Sequence, residues 1–167
     1  MVATILNNLA NLYESKGDYL KAGPLYQRAL ALRKKGFGPD HPDVATTLNN
    51  LAMLHRAKGD SVQAEPLLLR SLAIREKKLG PDHSFVAQSL ANLADLYREK
   101  GNYIQAETLL RRSLAIREKA LGAEHDDVLE RRRVVRHVAR RRRRVGVDDA
   151  LQRRQLALER VQPAPHR

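Results

Sequence analysis

The chain has 167 residues, no cysteine and no tryptophan, and a formal net charge of +12 at pH 7. That length suits one core or a short repeat array, and the missing cysteines exclude disulfides and fit a reducing, cytoplasmic setting. No apolar run approaches the roughly 20 residues of a membrane span, and Met1-Val2-Ala3-Thr4-Ile5 lacks a basic flank ahead of an apolar run, so no secretory leader is expected.

The charge is uneven. Residues 1–127 hold 18 basic and 15 acidic side chains, net +3, whereas residues 128–167 hold 13 and 4, net +9. Every basic residue of the second part is Arg. Two compositions therefore meet near residue 128.

From the first residues onward the chain repeats. Val2, Val44, Val86 and Val128 are spaced by 42, as are Gly17, Gly59 and Gly101, and His41, His83 and His125. Three units follow, 2–43, 44–85 and 86–127, and a period in this range signals stacked supersecondary units. Each unit reads as two helices. Val44, Leu48, Leu51 and His55 form one helical stripe, beside the small Ala52. Lys58-Gly59 ends that helix: the cation suits the dipole and Gly supplies a left-handed residue. The second helix opens at Asp60-Ser61 and carries the stripe Ala64, Leu67, Ser71 and Ile74. Pro24 and Pro66 are expected in the first turn of their helices, where no N–H is required. Leu79-Gly80-Pro81-Asp82-His83 stops the second helix and caps the next. Neither helix of a pair buries its stripe alone, so the expected fold is all-α, a right-handed α-solenoid of three helix-turn-helix repeats plus an Arg-rich C-terminal segment.

The fourth unit is due at Val128 but departs from the pattern. Arg132-Arg133-Val134-Val135-Arg136 stands where Leu-Asn-Asn-Leu-Ala is due, and Arg140 to Arg144 cover the place of the Lys-Gly stop. Val128, Val135 and Val138 are in helical phase, as are Val147, Leu151, Leu158 and Val161, and Gln162-Pro163-Ala164-Pro165 reads as a frayed end. Residues 128–167 admit three readings: a disordered or poorly helical tail, a basic binding segment, or a frame-shifted translation of a GC-rich gene.

Leu90, Leu93, Ala94, Tyr97, Ala106 and Ser113 follow a pattern that resembles the tetratricopeptide repeat. Leu79-Gly80-Pro81-Asp82-His83 and Ala73-Ile74-Arg75-Glu76-Lys77 are similar to the 42-residue repeats of kinesin light chains and of many bacterial signalling proteins. No coiled-coil heptads for motor attachment accompany them, so a bacterial-type scaffold fragment is the nearer likeness. The resemblance covers residues 2–127. It implies a non-enzymatic protein–protein interaction module whose first helices line a concave groove for an extended peptide.

On the face away from the core, 100° steps place Thr46, Asn49, Met53 and Arg56, matched by Thr4, Asn7, Asn11 and Glu14 and by Gln88, Ala91, Asp95 and Arg98. Asn8, Asn50 and Asn92 lie at its edge. Amides both donate and accept, which suits a peptide backbone. The same asparagines have a structural alternative: bonding the neighbouring repeat to set its packing angle. The resemblance marks Asn7, Asn8, Asn11, Asn49, Asn50, Met53, Arg56, Asn92, Asp95 and Arg98 as candidate peptide-binding residues. Arg56 and Arg98 favour an acidic partner, or simply a solvated helix face. Nucleic acid or another acidic surface is a candidate partner only through residues 131–144, which lack stacking aromatics. The alternative for the whole chain is a purely structural piece of a larger scaffold.

No cofactor or metal is expected. His41, His83 and His125 fall one per repeat, about 10 Å apart per helix layer, too far for one ion with bonds near 2 Å; capping is the expected role. No nucleophile elbow, phosphate loop or zinc-protease helix is present in the sequence, so no catalytic activity is expected.

Overall fold

A computed structural model describes the backbone of residues 1–161 and the side chains of residues 1–146. Its described residues form α1 (Val2–Ser15), α2 (Tyr19–Phe37), α3 (Pro42–Ala57), α4 (Ser61–Leu79), α5 (Ser84–Glu99), α6 (Tyr103–Leu121) and α7 (Asp126–Val161). None of these helices is long and apolar enough to cross a membrane.

Local chemistry sets the helix ends. Asp18, Asp60 and Asn102 each accept, through the side chain, the N–H of the third residue onward, at 3.2 to 3.4 Å. Gly59 and Gly101 adopt φ of +79° and +76° after α3 and α5, a region where any Cβ is strained. His41, His83 and His125 are caps: each Nδ1 accepts the backbone N–H two residues on, at 3.1 to 3.2 Å. Pro42 opens α3, whereas Pro24 and Pro66 stand at the sixth position of α2 and α4, a turn deeper than expected. Both prolines are exposed, and the residues four places earlier, Leu20 and Val62, are also exposed, so water reaches the carbonyls left unbonded.

The core runs as a chain of clusters along the stack. Ala10, Ala22 and Tyr26 join Leu51 and Leu54; Leu68 and Leu72 join Val86, Leu90 and Leu93; Ala94, Ala106 and Leu110 join Val135 and Val138. In each pair a small residue of the first helix (Ala10, Ala52 or Ala94) is fully buried, which allows close approach. Buried polar contacts tie the layers. Ser71 and Ser113 donate to the carbonyls of Ala45 and Ala87 at 2.7 Å. Arg33 donates to the Asp43 carbonyl and Thr47 Oγ1, at 2.9 and 2.7 Å, and Arg75 does the same with the Phe85 carbonyl and Ser89 Oγ, at 3.0 and 2.8 Å.

α7 occupies the place of a fourth first helix. Val128, Val135, Val138 and Ala139 are buried, 42 residues beyond Val86, Leu93, Leu96 and Tyr97. Its ion pair with α6 also keeps the repeat's register: Glu107 meets Arg142 at 3.1 Å, as Glu65 meets Lys100 at 2.5 Å. The helix then runs on without a break. Arg143 stands where Gly101 turned the chain, and the exposed Arg136 stands where Ala94 received its partner helix. A turn and a second helix both lack the residue they need. The side chains of Val147, Leu151, Leu158 and Val161 and the Gln162-Pro163-Ala164-Pro165 stretch lie outside the described residues.

Candidate functional site

The inner face of the stack follows from how the layers are spaced. First helices approach closely enough for short amides to bond: Asn50 Nδ2 reaches Asn7 Oδ1 and Asn11 Oδ1 at 3.4 and 3.2 Å, and Asn92 Nδ2 reaches Asn49 Oδ1 at 2.9 Å. Second helices are bridged by long side chains, as in Arg112–Glu76 at 2.6 Å. Closer first helices curve the stack around them, so α1, α3, α5 and α7 line its inner side.

The asparagines divide by position. Asn7 and Asn49, expected to face a ligand, are 5% and 4% exposed, and their side-chain oxygens are taken by the next repeat. Asn50 and Asn92 are the donors of this ladder and are partly exposed; Asn8 is exposed. Neither Asn7 Nδ2 nor Asn49 Nδ2 donates to a partner among the described residues, so one amide N–H2 is left over in each of the first two repeats. The next step of the ladder falls on Ala91 and Val134, apolar at both ends.

The remaining candidates lie around this ladder. Asn11 is exposed and also lies 2.6 Å from the Tyr26 hydroxyl, which donates to Glu14 at 2.5 Å. Burial, reinforced by the Glu14 carboxylate, holds Tyr26 well above the ordinary tyrosine range, so it stays a neutral donor. Met53 is partly buried, and its sulfur faces Arg56 Nη1 at 3.7 Å. Arg56 Nε shares its N–H between the two carboxylate oxygens of Glu99 at 3.0 and 3.1 Å, and Arg98 pairs with Asp95 at 3.0 Å. The two arginines expected to select acidic partners are thus matched by carboxylates of α5.

Free positive charge on the inner face lies instead on α7. Glu130, Arg133, His137 and Arg140 stand 42 residues beyond Gln88, Ala91, Asp95 and Arg98. With Val134 and Arg136 they line a shallow cavity of about 480 Å³. A second cavity of about 180 Å³, lined by Arg98, Glu99, Tyr103, His137 and Arg141, joins α5 to α7. Arg133 has only a loose contact with Glu130 at 3.4 Å, and Arg140 has no carboxylate partner among the described residues. Sequence reasoning placed these arginines in a separate tail. The signal that could have found them was the 42-residue count itself, continued past Asp127.

Comparison with known proteins carries the repeat to the start of α7. The family model described as tetratricopeptide repeat matches residues 1–77, 43–119 and 85–134, the last reaching into α7. No curated protein matches the chain. Among solved structures, a protein of Podosopora anserina described as a kinesin light chain with nearly identical TPR-like repeats is similar at 25% identity. It covers 98% of this chain and 78% of its own, with a TM-score of 0.76. BtubC (BKLC) from P. vanneervenii is similar at 26% identity over 99% of this chain and 67% of its own, TM-score 0.73. The Sgt2 TPR domain from Aspergillus fumigatus shares the fold, at 18% identity, covering 85% of this chain and 82% of its own, TM-score 0.61.

Proposed function

The chain belongs to the tetratricopeptide repeat family, and on that footing we propose that it holds an extended peptide along the inner face of α1, α3, α5 and α7, with acidic peptide residues read at the α7 end. Members of this family are generally protein-interaction modules without catalytic activity. The observation that carries the finer reading is the continuation of the inner-face register onto α7, where Arg140, at the place of Arg98, has no carboxylate partner among the described residues. The free Nδ2 groups of Asn7 and Asn49 donate to peptide carbonyls, while guanidinium groups take carboxylates in forked, charge-assisted bonds.

A peptide array probed with the full chain tests this. Acidic peptides are the expected selection. Arg133→Glu with Arg140→Glu abolishes their binding, whereas Asn7→Ala with Asn49→Ala weakens all selected peptides alike. Unchanged binding in both variants sinks the groove reading. Residues 131–144 acting on nucleic acid is the competing outcome: a steep loss of affinity for random duplex DNA with salt, together with no peptide selection, would establish it.

A further inference from the structure

We propose that the cavity of about 180 Å³ between the end of α5, the start of α6 and α7 binds a single phosphate-type oxyanion, held between Arg98 and Arg141. The repeat register shows where the anion belongs. One layer earlier, Arg56 Nε bonds the Glu99 carboxylate, 43 residues on. The same step taken from Arg98 falls on Arg141. A cross-repeat ion pair has been replaced by two cations, and both line this one cavity. His137 lines it as well, 42 residues beyond Asp95. Asp95 and Glu99 of α5 are therefore succeeded on α7 by an imidazole and a guanidinium.

The donors of this wall are short of acceptors. Arg98 falls back on Asp95 of its own helix, through Nη2 at 3.0 Å. Its Nε, the atom with which Arg56 meets Glu99, is buried without a hydrogen-bond partner. The ion pairs of α7 run from Arg131, Arg132, Arg133 and Arg142 and leave Arg141 without a carboxylate among the described residues. Glu99, the one carboxylate of the wall, is already bonded by Arg56. Two guanidinium groups at one cavity repel, and an unmet buried donor is costly; an anion between them relieves both. The wall also selects the kind of anion. Tyr103, from the first position of α6, and His137 add neutral donors, so three helices surround the cavity. A carboxylate brings one charge and two oxygens in a plane. A phosphoryl group brings nearly two charges and three acceptor oxygens spread tetrahedrally, which suits donors from several directions. The volume equals about six waters at roughly 30 Å³ each, enough for one such group with its remaining waters. The same chemistry serves free phosphate and a phosphorylated side chain.

Nuclear magnetic resonance titration of the full chain at constant ionic strength tests this, with inorganic phosphate, acetate and chloride as probes. Phosphate should give saturable shifts of the backbone amides of Arg98, Tyr103 and Arg141, and acetate and chloride much smaller ones. Arg141→Glu supplies the carboxylate of the earlier layer and abolishes the phosphate shifts, with helical circular dichroism unchanged. The milder Arg141→Gln weakens phosphate binding roughly tenfold. Arg133→Gln with Arg140→Gln, both outside this cavity, weakens it less than Arg141→Gln alone. N-acetyl phosphoserine amide separates the two sources: tighter binding than inorganic phosphate marks a group carried on a peptide, weaker binding a free anion. No peptide is present in the phosphate titration, so its outcome is independent of whether the inner face holds one. Phosphate shifts no larger than those of acetate, phosphate binding that survives Arg141→Glu, or a greater loss in the Arg133 and Arg140 variant would each overturn the proposal.

Discussion

Ser89→Ala isolates the worth of the buried guanidinium contacts between repeats. Arg75 is 2% exposed, and its Nη1 has three neutral acceptors: Ser89 Oγ at 2.8 Å, the Phe85 carbonyl at 3.0 Å and Gln88 Oε1 at 3.4 Å. Burial lowers its pKa to about 10, so it stays charged at neutral pH. Removing the shortest contact leaves a buried cation short of one partner. Bonds to charged groups are worth about 1.5–3 kcal/mol, so the variant should lose about 2 kcal/mol. At about 2–4 °C per kcal/mol for a chain of this size, the melting temperature falls by about 4–8 °C. Arg75→Met removes the demand itself and should cost less, about 1 kcal/mol, because an apolar replacement of similar volume is close to neutral. The abandoned hydroxyl has a carbonyl within its own helix, as Thr47 Oγ1 already has at Asp43. Ser89→Ala combined with Arg75→Met should therefore be more stable than Ser89→Ala alone. Urea unfolding followed by circular dichroism measures all four corners of the cycle. A Ser89→Ala loss below about 0.5 kcal/mol, or additive single effects, would refute the reasoning.

Four further outcomes follow from contacts already described. Lys100, then Tyr97, hold the Glu65 carboxyl below its ordinary value of 4.5. A depressed folded value gives stability that is complete above 4.5 and lost as pH falls through the folded value, so acid titration of the melting temperature should be flatter in Glu65→Gln. Gly101→Ala meets no neighbouring atom but must adopt φ of +76°, and calorimetry should show a loss of about 1 kcal/mol. Asn49→Ala strands the Asn92 amide and costs about 1 kcal/mol, whereas Asn49→Ala with Asn92→Val, copying Ala91 and Val134, should recover most of it in urea melts. Val138→Ala opens a cavity where α7 meets α6 and should cost about 2 kcal/mol; no loss would mean that α7 contributes nothing to the fold.

Much of this molecule is written in local signals. The 42-residue period, the caps at Asp18, Asp60 and Asn102 and the glycine stops depend on side chains within a few residues of each other. The apolar stripes and the cap role of the histidines were legible for the same reason. Less legible was the deep placement of Pro24 and Pro66, because a proline in a second turn survives only where the freed carbonyl faces water. The helical phase of Val128, Val135 and Val138 was also visible, but the surrounding arginines hid that this helix continues the stack.

The order of amino acids by itself determined an all-helical repeat array and which faces of its helices are apolar, since periodicity and capping are properties of a single segment. Only the tertiary structure decided what the polar residues do. Whether Asn49 or Asn50 is buried and whether Arg56 is free or bound to Glu99 both depend on neighbours 43 residues away. Those distances are set by how one helix pair stacks on the next, and no single segment contains them.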